Sequence, residues 1–279
     1  MRIWNRIMNA IRNVLYGRKT KMKSLLTAIT ILTMVAGSAN ATSVGYTVQS
    51  NGDDNLYSID LSTGNWTRIG PVGYGDVEGL AFDRDGTLYG VEGTMGHVIT
   101  IDIQTGQGTL VGTCNLANID TGAAISPDTG KLYVINGESN TSNLYEIDKT
   151  TGASTLVAAY DVFADGLAIG PGDIAYASDL INAKTLYRID LTAPSAITTV
   201  GALGIVTTDQ SGLARCPLTD QYYLLREDGL LYTVDTKTGN ASLIGNTIDN
   251  SEGLAIIPEP ATVLLLGLGG LVLIRGWRR

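Results

Sequence analysis

The 279-residue chain has one histidine, two cysteines and two phenylalanines, and it has no long apolar run except at its two ends. Each shortage excludes something. A single histidine rules out a multi-histidine metal centre and leaves one imidazole, His97, as a base for a serine or cysteine nucleophile. No G-x-S-x-G occurs. His97 stands in "EGTMGHVITID", just before a strand-like run, where a polar residue serves packing between sheets. Basic residues are scarce in the middle. Residues 42–257 hold 26 acids against 9 bases, a net charge of −17 where the whole chain has −8. A field of that sign repels nucleic acid and anionic lipid and favours cations, basic partners and solubility.

The two ends read as addresses. Met22-Lys23-Ser24 opens a basic stretch, Leu25 to Ala36 is apolar, and Ala39-Asn40-Ala41 fits an A-x-A cleavage site. Residues 1–41 therefore read as a secretory signal peptide with a mature start near Thr42. Residues 1–21 are basic and loosely amphipathic, either an n-region over-extended from a mis-called start or a membrane-surface helix.

Between the ends the chain repeats. "LYSIDLSTGNWTRIG" (56–70), "VITIDIQTGQGTLVG" (98–112), "LYEIDKTTGASTLVA" (144–158), "LYRIDLTAPSAITTVG" (186–201) and "LYTVDTKTGNASLIG" (231–245) are one pattern. Their aspartates, Asp60, Asp102, Asp148, Asp190 and Asp235, are 42, 46, 42 and 45 residues apart. A second pattern interleaves: "EGLAFDRDGTLYGV" (78–91), "TGAAISPDTGKLYVI" (121–135), "DGLAIGPGDIAYAS" (165–178), "SGLARCPLTDQYYLL" (211–225) and "EGLAIIP" (252–258). A period near 44 with alternating apolar residues and Gly/Asp turns is that of propeller blades, each of four strands a, b, c and d. In the c–d link, Asp-x-x-Thr-Gly, the carboxylate can accept backbone N–H groups while Gly takes positive φ. "DRDG" at 83–86 is read as a turn, since the spaced ligands of an EF-hand do not follow.

The last repeat stops after strand a and the first starts at strand b. The reading for 42–257 is thus an all-β, five-bladed propeller of four-stranded blades, closed by pairing the C-terminal strand with the N-terminal strands. Cys114 and Cys216 fall in different blades and on opposite faces, which argues against a disulfide. The recurrent tyrosines fit sheet packing.

The loops entering the a strands are acidic. Glu78, Asp120, Asp165, Asp209 and Glu252 stand out as candidate ligand or metal residues, with Asp76, Asp161 and Asp249 nearby. Three readings follow: a solvated acidic rim, a Ca²⁺ site of hard oxygen ligands, or a pair of carboxylates for hydrolysis. No catalytic residue is named by any motif.

The units also resemble NHL-like or YVTN-like repeats, on "G-L-A-x-D…G-x-L-Y" as in 79–89, which implies the propeller. The tail is more specific. Pro258-Glu259-Pro260, an apolar segment rich in Leu and Gly, and Arg275, Arg278 and Arg279 resemble, over 258–279, the PEP-CTERM sorting signal of Gram-negative bacteria. The apolar segment, Ala261 to Ile274, is about 21 Å as a helix, short of a permanent ~30 Å span. The resemblance implies recognition by an exosortase, a membrane cysteine transpeptidase, cleavage near Pro-Glu-Pro, and transient anchoring in the inner membrane. It also implies association with exported polysaccharide, biofilm or floc. Pro258, Glu259 and Pro260 carry over as the recognition element and the arginines as the stop.

The expectation is an exported, exosortase-processed protein of the cell surface or extracellular matrix, non-enzymatic, offering a face to exopolysaccharide or surface proteins. The alternative is a secreted Ca²⁺-dependent hydrolase of lactonase or glycosidase type using the channel-mouth carboxylates.

Overall fold

The computed structural model describes residues 43–49, 54–116, 120–206 and 210–258. Every regular element among them is a strand, and the strands form five antiparallel four-stranded sheets. Blade 1 is mixed: β20 (Ala255–Pro258), β1 (Ser43–Val48), β2 (Asn55–Asp60) and β3 (Trp66–Pro71). Blade 2 is β4 (Val77–Phe82), β5 (Leu88–Glu92), β6 (His97–Ile101) and β7 (Gly108–Thr113). Blade 3 is β8 (Asp120–Ile125), β9 (Leu132–Glu138), β10 (Thr141–Ile147) and β11 (Ser154–Tyr160). Blade 4 is β12 (Gly166–Gly170), β13 (Ile174–Asp179), β14 (Thr185–Asp190) and β15 (Ile197–Ala202). Blade 5 is β16 (Ser211–Arg215), β17 (Tyr222–Arg226), β18 (Leu230–Val234) and β19 (Ala241–Asn246).

The first strands of the blades touch in ring order, β4 to β8, β12, β16, β20 and back to β4. The seam is the expected one. β20 pairs with β1 in the register Ser43↔Pro258, Val44↔Ile257, Gly45↔Ile256 and Tyr46↔Ala255, so the two chain ends of the ring complete one sheet.

There is no single core. Five apolar clusters fill the five clefts between neighbouring blades, and the strand period of two decides which side chain enters which cleft. In "GLA" the Leu faces the preceding blade and the Ala the following one. Leu167 packs in the cleft of blades 3 and 4, Ala168 in that of blades 4 and 5. Leu80 and Ala81, Leu213 and Ala214, and Leu254 and Ala255 divide in the same way. A large side chain from one blade thus meets a small one from the next, as the narrowing wedge near the axis requires. Blade 3 departs with Ala123 in the Leu position, where Gly79 of blade 2 is close enough that an added Cβ would stand 2.9 Å from the Ala123 methyl carbon.

The c–d turns behave as their chemistry dictates. Asp60, Asp102, Asp148, Asp190 and Asp235 accept the N–H two residues ahead at 2.7–3.0 Å. Each Thr-Gly turn then leans on strand d of the preceding blade, with Gly152 against Gly112 and Gly239 against Gly201. Blade 4 lacks the turn glycine and blade 3 carries Ala158 in place of the strand glycine, so both members of that contact change together. There Tyr160 Oη donates to the Pro194 carbonyl at 2.8 Å instead. In every blade the c–d ladder also skips one residue of strand d: Ile69, Val111, Val157, Val200 and Ile244. Such bulges increase the local twist of the outer edge.

Inner-ring spacing yields a stability prediction. A Cβ at Gly212 would overlap the Glu252 carbonyl oxygen, whereas one at Gly75 meets nothing nearer than an ordinary 3.6 Å contact. Gly212→Ala should cost about 2 kcal/mol or more, in the range of core overpacking, and Gly75→Ala close to nothing. Urea denaturation of both variants checks the contrast.

Candidate functional site

The residue before the inner-strand glycine is the same structural position in all five blades: Glu78, Thr121, Asp165, Ser211 and Glu252. These lie where the d–a loops enter the ring. Three of them are carboxylic acids, and all three are withdrawn from water, with Glu78 at 6%, Asp165 at 3% and Glu252 at 5% exposure. The mouth is therefore a set of interior acids set into the ring, where the sequence alone had also allowed a solvated rim.

Glu78 is the best defined. Its Oε2 accepts the Thr121 backbone N–H at 2.7 Å from the next blade, with Thr121 Oγ1 at 3.5 Å. Burial pushes its pKa up to about 10; the neighbouring Glu252 carboxylate adds to this, the Thr121 N–H opposes it, and Asp76 and Asp120 add further. At neutral pH Glu78 is thus a neutral acid beside other carboxylates. Asp120, half-buried, is raised by burial, while a hydrogen bond from the Gln210 side chain works against that rise. Asp120 opens β8 and Gln210 precedes β16, which are not ring neighbours, so this bond links blades 3 and 5 directly.

Of the five candidates from the sequence, Glu78, Asp120, Asp165 and Glu252 therefore lie at one end of the inner strands, and Asp209 lies outside the described residues. Among the described residues no three His, Cys, Asp or Glu side chains form a group able to hold a metal ion.

Open space lies at the opposite end. A cavity of about 310 Å³ is lined by the Ala81, Ala124, Ala168, Ala214 and Ala255 row and by Phe82, Ile125, Ile169 and Ile256. None of the four acids borders it. Its rim carries Arg84 and Arg215, and their heads are engaged. Arg84 donates to the Pro127 carbonyl of the next blade, and Arg215 Nε to Asp220 at 2.8 Å. Asp83 takes Lys149 of the next blade at 2.5 Å. The sequence reading missed this void. Its signal was the alanine repeated at one position in all five inner strands.

The remaining candidates are structural. His97 Nδ1 is 3.2 Å from Glu92 Oε2 and its ring meets Tyr74 edge-on at 5.8 Å. Cys114 and Cys216 are free and buried. In "DRDG", Asp83 and Asp85 accept local N–H groups, as a turn would. Tyr57, Tyr133, Tyr187 and Tyr232 are buried, and Tyr133, Tyr187 and Tyr232 belong to the inter-blade clusters. The proposed signal cleavage residues Ala39 and Ala41, and Glu259, Pro260, Arg275, Arg278 and Arg279 of the tail, lie outside the described residues, as does the tail's expected apolar helix. Among the described residues no helix is long and apolar enough to cross a membrane.

Residues 257–279 match the PEP-CTERM protein-sorting motif. The motif implies an exported protein, sorted by an exosortase to the cell envelope. Its first two residues, Ile257 and Pro258, belong to the closing strand β20. No curated protein matches the chain in sequence. Among solved structures, a chain of a nidogen/laminin complex superposes with a TM-score of 0.51 at 14% identity, over 77% of this chain and 85% of that one. A structural genomics protein of unknown function from Bacteroides thetaiotaomicron VPI-5482 gives 0.47 at 15% identity, over 72% of this chain and 49% of that one. At 14% identity the first likeness speaks for the fold alone, and nothing is argued from the second.

The buried acid sets the pH dependence. Glu78 rises from an ordinary 4.5 to about 10 on folding, so the unfolded chain binds fewer protons than the ring throughout that interval. Its favourable contribution is complete below 4.5 and is lost progressively as pH rises to about 10. Glu78→Gln, which keeps the acceptor for Thr121, should remove this slope. Thermal unfolding across that range should show the variant gaining on the natural protein as pH rises.

Proposed function

We propose that the chain is an exported, exosortase-processed protein of the cell surface or extracellular matrix, whose propeller is a non-catalytic binding module. The sorting motif at 257–279 is the observation that carries this reading. The geometry supports the second half. Ser43 and Pro258 both lie at the face of the a–b and c–d turns, opposite the face of the d–a and b–c loops. Among the described residues the latter face holds many acids, including Asp54, Asp76, Glu138, Asp161 and Asp249, against Lys184 and Arg226. Its partner is a glycan or a surface protein presenting positive charge, or reached through a shared cation. Binding of this kind weakens with salt.

One observation favours the alternative, a Ca²⁺-dependent hydrolase of lactonase or glycosidase type. A neutral Glu78 beside a second carboxylate is the arrangement an acid/base pair uses. Against it, Glu78 and Glu252 are buried and the cavity lies at the other end of the ring.

Two measurements separate the readings. Fractionation of native cells should place the protein outside the inner membrane, and loss of the host's exosortase should hold it in that membrane. The purified mature protein should leave a panel of lactones and glycosides unhydrolysed. Hydrolysis abolished both by chelation and by Glu78→Gln would establish the enzyme instead.

A further inference from the structure

The apolar cavity carries two cations that the repeat does not call for. Directly after the inner-strand alanine, the five blades have Phe82, Ile125, Ile169, Arg215 and Ile256. Two residues further on, at the a–b turn, they have Arg84, Pro127, Pro171, Pro217 and Pro258. Each row is apolar in four blades and a cation in one. Residues 42–257 hold only nine bases, yet two of them break these rows, and both border the one cavity of about 310 Å³.

The wall of that cavity has little to offer water. Its polar groups are already taken: Ser126 Oγ donates to Asp173 and accepts the N–H groups of Asp128 and Thr129, and Asp83 holds Lys149. A buried water needs two to four polar partners, so an apolar ligand displaces water that is only weakly held here. The volume is at the lower end of small-molecule pockets, which run from roughly 300 to 1,000 Å³.

The rim decides the other half of the ligand. Arg215 is paired with Asp220, whereas Arg84 donates to the Pro127 carbonyl, which satisfies a donor and leaves the charge in place. Counting the lining groups with their ion-pair partners, Arg84, Lys149 and Arg215 stand against Asp83 and Asp220. The rim is thus locally positive on a domain that is strongly negative. A guanidinium has five donors in a planar fork, and a carboxylate matches it.

We infer that this end of the ring binds a small amphipathic carboxylate, its apolar body among the alanines and its head at Arg84. The site is distinct from the acidic face and does not depend on the sorting reading. An alkyl or an aryl-alkyl acid has the required chemistry.

The test is calorimetric titration of the purified protein with octanoate and with 4-phenylbutyrate, and with 1-octanol and octylammonium for comparison. At least one of the two acids should bind with a Kd below about 1 mM. It should bind more tightly than octylammonium, against the preference that the overall negative field imposes. Arg84→Ala should weaken the acid about fivefold or more and leave 1-octanol unchanged. Ile125→Trp, which fills the cavity from a half-buried position in its wall, should abolish binding of acid and alcohol alike. Failure of both acids to bind at about 1 mM, or tighter binding of octylammonium, overturns the inference. Arg84 is exposed, so its variant should fold. A lower melting point for that variant with unchanged acid affinity would show the arginine to be only a tie between blades 2 and 3, and would also overturn the inference.

Discussion

The structure depends on how closely five inner strands can approach one axis. The glycine of each "x-G-L-A" unit permits it. At Gly122, Gly212 and Gly253 the backbone of the neighbouring strand occupies the space a Cβ would need, with the carbonyls of Asp165, Glu252 and Glu78 in contact range. Glycine is required there for its missing carbon, since none of the three has positive φ. The alternation of Leu and Ala that follows is the same constraint expressed one residue further along the strand. Wedge-shaped blades leave little width near the axis, so two large side chains cannot meet there.

The acids inherit their properties from that approach. They sit immediately before the glycines, so drawing the strands together also draws Glu78 towards Glu252 and buries both. Backbone close packing thereby creates a proton-holding group with no motif of its own. The two ends of the ring then differ in kind. One carries the buried acids and the Asp120–Gln210 bond, and the other holds the apolar cavity, its rim tied by Arg84, Lys149 and Arg215.

Most of the fold was legible because it repeats. The spacing of Asp60, Asp102, Asp148, Asp190 and Asp235 gave the period, the truncated last unit implied the seam, and the turn chemistry of Asp-x-x-Thr-Gly is local. The site was legible only as a list of acids on one face. Whether those acids were solvated depended on strand-to-strand distance, which no single segment encodes. The Asp120–Gln210 bond joins blades 3 and 5, and a pairing between non-neighbours leaves no periodic trace. The joint replacement of the contact glycine by Ala158 and of the turn glycine in blade 4 was visible as two irregularities. Only the ring geometry shows them to be one.

The seam also determines what the ends of the chain must do. β1 and β20 are roughly 210 positions apart, whereas strands within a blade are about a dozen apart or fewer. Loop closure scales as (3/2)RT ln n, so the seam costs only about 2.5 kcal/mol more than an ordinary hairpin. Burying one large aliphatic side chain contributes about 1.5–3 kcal/mol. Leu254 and Ile256, both buried in the cleft between blades 5 and 1, are therefore enough to offset the closure. That balance explains how a four-residue strand can hold a five-blade ring shut.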